Sequence, residues 1–326
     1  MALAAVRSID DAVDVTRDYL LARTVRGYLL LATVSLTLGP AGLGGPPGPV
    51  DVREETVGID ASEMPSAATL VDALGGELVL WALLSLVIAL AVGYVLLGSF
   101  AEFAIYHSLI TDTVAIRRPI GRYWRGALQL FAFRLVAWGL AAGASAWLAV
   151  TFFAREFGPT SSPAGLLVAA VIGLTAYLAH RLTADFVVPI MLAERCTVVA
   201  GWRDLVGHLR EHPHQFGAYV PVRVVLELAG GIGLSIAVGL ALLFLGLVVG
   251  VPTFALVYLL ADLTVALIVA GVLLIPLGIV AVAAVILPFH VYFHSYALLL
   301  LDETVATFDL MGPWRERLAP AAAGRL

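Results

Sequence analysis

The sequence predicts an all-α, polytopic transmembrane helical bundle of about six spans, with an N-terminal interfacial amphipathic helix. Three observations predict it. Of the 326 residues, 61% are hydrophobic and only 13% are charged, against roughly 45–50% and about 25% in soluble domains. Apolar runs recur at the roughly 20 residues that a bilayer demands. Of the arginines outside the apolar runs, fourteen fall on one side and only two on the other.

Residues 1–26 read as a cytoplasmic interfacial helix. Ser8 with Asp11 three residues on is a capping signal. Val6, Ile9, Val13, Thr16 and Leu20 follow at helical spacing, and Asp10, Asp11, Asp14 and Asp18 cover the other face. The segment is too long and too acidic for a cleavable secretory leader. With nothing beside it in sequence to pack on, it is expected to lie on the membrane face.

The transmembrane domain is expected over residues 27–303. The first span runs from Gly27 to about Leu38 and ends in the Gly-Pro stretch from Gly39 to Pro49. An acidic external loop, 44–76, leads to the second span, Leu78 to Phe103. The third runs from Leu128 to Phe153, the fourth from Ala164 to Leu192 and the fifth from Phe216 to Val249. Val251-Pro252 is expected to end that helix, leaving Val249 to Asp262 as a re-entrant piece, an extension outside the membrane or part of a seventh span. The sixth span lies within Leu263 to Leu301, interrupted by Pro276 and Pro288.

Orientation follows from charge. Arg7, Arg17, Arg23 and Arg26, the hairpin 107–127 with Arg117, Arg118, Arg122 and Arg125, the hairpin 193–215 with Arg195, Arg203 and Arg210, and the tail 304–326 with Arg315, Arg317 and Arg325 fall on one side. Only Arg53 and Arg155 fall on the other. Positive charge marks the cytoplasmic side, so both termini are expected in the cytoplasm and the protein in the cell membrane.

Composition also narrows partners. A net charge of −5 offers no basic surface for nucleic acid. Membrane lipids are the expected partners, with a membrane-protein partner or a second copy besides. No cofactor is expected. All 19 basic residues are Arg, and Asn is missing altogether, the usage of a GC-rich genome; with the acidic loops it reads as haloarchaeal or actinobacterial. Cys196 is the single cysteine, which excludes an intrachain disulfide and a thiol-cluster metal site.

The residues most able to carry chemistry are ionisable groups inside the spans, where a charge is expensive. They are Glu102, His107, Arg134, His180, Arg181, Asp185, Arg223 and Glu227. By helix rise, Arg134 and Arg223 lie about 9–10 Å in from the cytoplasmic ends of their spans. Arg134 is expected to pair with Asp185, and Arg223 with Glu102 or Glu227. Two readings stand side by side: an ion-pair network fixing helix register, or a polar pocket open to the cytoplasm.

His290 and His294 share a helix face and are weak metal candidates, because a zinc site needs one or two further ligands. Nucleophile-elbow, zincin, Walker and Rossmann motifs are missing from the sequence, so no enzyme is expected. Gly139/Gly143 and Gly246/Gly250 are spaced for close helix packing. The two cytoplasmic hairpins also repeat one order. Phe103 leads through Tyr123-Trp124-Arg125 to Arg134, and Phe186 leads through Gly201-Trp202-Arg203 to Arg223.

Three stretches carry a resemblance: Ser8 to Arg17; Thr183 to Pro189 followed by Gly201-Trp202-Arg203; and the last span through Tyr296 and Leu298 to Asp302. There the chain resembles an uncharacterised haloarchaeal family of multi-pass membrane proteins, which implies the fold and no activity. More distantly it is similar to the membrane domains attached to some glycerophosphodiester phosphodiesterases, whose catalytic domain has no counterpart in this sequence. The expected function is a membrane scaffold or accessory role at the cytoplasmic leaflet. The alternative is a small-solute, ion or lipid transporter using the charge cluster.

Overall fold

A computed structural model describes residues 4–38, 76–114, 117–154, 163–260, 262–305, 310–312, 314 and 317. The loop 44–76, expected to be external, lies outside the described residues apart from Gly76, as do the Gly39–Pro49 stretch, Arg53, Arg155, Arg315 and Arg325. Among the described residues all regular structure is helical. The helices are α1 (Ala4–Leu21), α2 (Val25–Leu38), α3 (Glu77–Ile110) and α4 (Arg117–Ala154). Next come α5, which is Pro163–Leu182 continued through a π turn, Thr183–Val187, into Val188–Glu194, and α6 (Val198–Glu211). The seventh helix, α7, is Pro213–Leu245 continued through a π turn, Gly246–Gly250, into Val251–Leu260; α8 is Leu263–Thr304.

Five of these helices are long and apolar enough to cross a membrane: α3, α4, α5, α7 and α8. The chain is thus a helical membrane protein. Over its described residues α2 is apolar and has 14 residues, below the length of the five long helices. It packs against α3 and α8.

Proline explains both π turns. Each wide turn is followed by Val-Pro: Thr183–Val187 by Val188-Pro189, and Gly246–Gly250 by Val251-Pro252. A proline ring clashes with the carbonyl four residues back, and one i→i+5 turn moves that carbonyl aside. Val188 N–H accordingly donates to Thr183 O, and Val251 N–H to Gly246 O. Val251-Pro252 therefore does not end the helix. Residues Val251–Leu260 extend α7, rather than forming a re-entrant piece, and Asp262 then caps α8 by accepting from Val265 N–H at 2.8 Å.

The helix expected as the sixth span is likewise uninterrupted: Pro276 and Pro288 both sit inside α8. Pro288 has no N–H for the Ala284 carbonyl. The Tyr28 hydroxyl of α2 donates to that carbonyl instead, at 2.7 Å.

At one end the helices close into a core. It is built from Phe103 and Tyr106 of α3, Leu130 of α4, Phe186 and Ile190 of α5, Tyr219 of α7 and Tyr296 of α8. Toward the other end, α3, α7 and α8 display mostly exposed leucine, isoleucine and valine, the surface a bilayer solvates.

The N-terminal helix departs from expectation. α1 begins at Ala4, so Ser8 is not its cap but a buried residue within it. Ser8, Ala12, Val15, Thr16 and Tyr19 form its buried face, and α1 lies along α8 and touches α7. Val6 and Val13, expected on the apolar face, are half exposed. The face that packs on α8 thus combines small Ser8 and Ala12 with Val15 and the large Tyr19. The start of the tail is also engaged. Trp314 is buried against Tyr19, ring centroids 6.1 Å apart, and its indole N–H donates to Leu109 O at 3.0 Å.

Candidate functional site

Three arginines and three carboxylates are buried together where the long helices converge: Arg134, Arg181 and Arg223 with Glu102, Asp185 and Glu227. Charges in such a setting persist only when paired and hydrogen-bonded. Each of the six has an opposite-charge partner.

Arg134 of α4 pairs with Glu102 of α3, and its other nitrogen reaches Ser99 Oγ at 3.4 Å. The expected partner, Asp185, is taken by Arg223 at 3.3 Å. The physical reason is connectivity: Glu102 and Arg134 sit on consecutive antiparallel helices of one hairpin, while the π turn that carries Asp185 presents it to α7. Arg223 also faces Glu227, one turn on, at 3.3 Å, one of the two partners its spacing predicts. Glu102, the other, is not among them.

The α5–α7 pairing is reciprocal. Tyr177, Arg181 and Asp185 lie four residues apart along α5; Tyr219, Arg223 and Glu227 do the same along α7. Tyr219 donates to Asp185 Oδ2 at 2.6 Å, and Tyr177 donates to Glu227 Oε2 at 2.6 Å. Arg223 pairs with Asp185, and Arg181 pairs with Glu227. Each carboxylate thus receives one tyrosine hydroxyl and one guanidinium from the opposite helix. Charge-assisted bonds of this kind are short and directional. From α8, the Phe293 ring covers the Arg223 guanidinium at 3.8 Å, a cation–π contact between two buried side chains.

The remaining expected residues divide. His180 is buried with its ring edge-on to Trp138, centroids 5.5 Å apart. His107 is half-buried at the rim, 5.8 Å from the Tyr123 ring. His290 and His294 are buried in α8 with rings 6.3 Å apart and nearly perpendicular. His294 Nδ1 is 2.7 Å from the His290 carbonyl, so that nitrogen is engaged within the helix. Gly139 and Gly143 meet nothing among the described residues, unlike the close packing their spacing predicts; Gly250 does meet Leu274.

Sequence reading missed Tyr177, Tyr219, Phe293 and Ser99. The signal for the tyrosines was present: Tyr-x-x-x-Arg-x-x-x-acid occurs at 177–185 and again at 219–227. It named Cys196 but missed Glu194 and Asp204 beside it; the ligand atoms of the three lie within 4.8 Å of one another. Burial, then the Glu194 and Asp204 carboxylates, push the Cys196 thiol up from its ordinary value.

A profile for a family of unknown function, DUF7544, matches residues 3–311. The chain belongs to this family. The match takes in the eight helices of the described residues and every residue of the charge cluster. No curated protein and no solved structure matches the chain.

Proposed function

We propose that this DUF7544 protein is a non-enzymatic integral membrane scaffold or accessory protein acting at the cytoplasmic leaflet. One observation carries the proposal. Arginines and carboxylates are equal in number and clamp one another across α3–α4 and α5–α7. Charges spent on each other set helix register, a use for which buried ionic groups are retained. In this reading α2 is a sixth span, α1 lies at the cytoplasmic interface, and both termini are cytoplasmic in the cell membrane. The all-arginine, acidic-loop composition supports a haloarchaeal source.

The test is partner capture from the native membrane. Extracting the tagged full chain with its lipid annulus in polymer discs, followed by mass spectrometry, should recover a membrane-protein partner at fixed stoichiometry or a homo-oligomer of defined size. Recovery of a lone monomer would overturn the proposal.

A transporter of a small solute, ion or lipid is the second reading, favoured by the π turn that carries Asp185. Such turns recur at functional sites. Flux in proteoliposomes that vanishes in Arg134→Ala and Asp185→Ala, while the variants stay folded, would establish it over the scaffold.

A further inference from the structure

Arg118, Arg122 and Arg125, at the start of α4, are all exposed. With Arg117 they make four arginines in nine residues, and no acidic residue occurs between Asp112 and Glu156. In a chain of net charge −5, this is a local surplus of positive charge with no acid inside the stretch. The arginines flank an apolar row. Ile120, Trp124 and Leu128 recur every four residues, each exposed, and Trp124 is 48% exposed.

The row does not stop there. The exposed face continues along α4 through Leu135, Val136 and Leu140, within the length able to cross a membrane. Ring contacts tie the charges to that face: Arg125 Cζ lies 5.4 Å from the Trp124 centroid and Arg122 Cζ lies 5.7 Å from that of Tyr123. A non-helical residue, Tyr123 (φ −109°, ψ 15°), kinks α4 here. On α2, which also packs on α3, exposed Arg26 is followed by exposed Leu29 and Leu30, the same charge-then-apolar order.

We propose that this face of α4 binds the phosphate headgroups of anionic membrane lipids, with Ile120, Trp124 and Leu128 set against the acyl boundary. Tryptophan and tyrosine favour that depth. Guanidinium forks match phosphate oxygens in pairs, which a point charge does not, and basic clusters beside a span are drawn to an anionic leaflet. The proposal rests on the membrane-leaflet reading above and names its lipid; partner capture tests that reading and lipid titration tests this one.

The experiment titrates the purified full chain in neutral detergent with phosphatidylglycerol or with phosphatidylcholine of the same acyl chains, and counts bound lipids by native mass spectrometry. Wild type should prefer phosphatidylglycerol. R118Q/R122Q/R125Q should weaken that binding about tenfold or more, while R203Q/R210Q on α6 should leave it unchanged. If the triple variant does not fold, Arg122→Gln alone should still lower it severalfold. Equal binding of the two lipids, an unaffected arginine variant, or an equal loss in the α6 variant would overturn the proposal. So would one-for-one displacement of the lipid by inorganic phosphate, which would mark a free-anion site.

Discussion

The Tyr106 hydroxyl donates to the Ala184 carbonyl at 2.9 Å, and that carbonyl is the one Pro189 leaves open in the i→i+5 pattern of the turn carrying Asp185. A side chain of α3 thereby completes the backbone of α5 beside the charge cluster. Tyr28 does the same for Ala284 opposite Pro288. Tyr106→Phe and Tyr28→Phe should each lower stability by about 1–3 kcal/mol, the cost of an orphaned buried acceptor. Chemical unfolding of the full chain in detergent measures it, and two neutral substitutions would show the carbonyls to be otherwise satisfied.

The Glu102–Arg134 pair lends itself to a double-mutant cycle. Glu102→Ala or Arg134→Ala leaves a lone charge among buried groups and should cost about 3–5 kcal/mol. The double variant should cost clearly less than the sum of the two. Additive losses would mean the two side chains do not act as a pair.

Gly98 is where α2 meets α3. A Cβ there would stand 2.6 Å from the Thr37 carbonyl oxygen, a backbone atom that cannot swing away. Gly98→Ala should destabilise by about 1–3 kcal/mol through overpacking. Gly93→Ala, on the same helix with nothing within 4 Å, should be neutral or stabilising, since alanine is the better helix former. The same unfolding measurement compares them, and equal effects would refute the close contact.

Arg195 ends α5 in the left-handed region at φ 55°, where a Cβ is strained and glycine is at ease. Because the side chain is exposed, Arg195→Gly should raise stability by about 0.5–1 kcal/mol. A loss of stability would reveal a role for the side chain that its exposure conceals.

Cys196 gives a pH test. Burial first, then the carboxylates of Glu194 and Asp204, raise its thiol pKa, so the protonated form persists further into alkali than for a free thiol. Alkylation by iodoacetamide, read by intact mass, should be slow at neutral pH and keep accelerating beyond the usual thiol range of about 8.5. Asp204→Asn removes one opposing charge and should speed the reaction at neutral pH. A rate that levels off near pH 8 in the wild type would contradict the raised value.

Much of the candidate site was legible because a charge in an apolar run stands out whatever surrounds it. Glu102, Arg134, Arg181, Asp185, Arg223 and Glu227 all announce themselves this way. Their pairing was not legible. Arg134 to Asp185 is as plausible by depth as Arg134 to Glu102, and depth along a helix says nothing about which neighbour stands beside it. The reciprocal arrangement of Tyr177 and Tyr219 required knowing that α5 and α7 lie side by side.

Taken alone, the sequence determined that this is a helical membrane protein and where its long apolar helices run, because the length and composition of a run decide whether it can enter hydrocarbon. Tertiary structure decided three other things. It turned α1 so that Ser8, Ala12, Val15, Thr16 and Tyr19 pack inward while Val6 and Val13 stay half exposed, because the neighbouring helices α7 and α8 choose the face. It carried α5, α7 and α8 through Pro189, Pro252 and Pro288, because wide turns and tyrosine hydroxyls from neighbouring helices supply what proline withholds. And it chose the partner of each buried charge, because that choice belongs to how helices pack and not to any one helix.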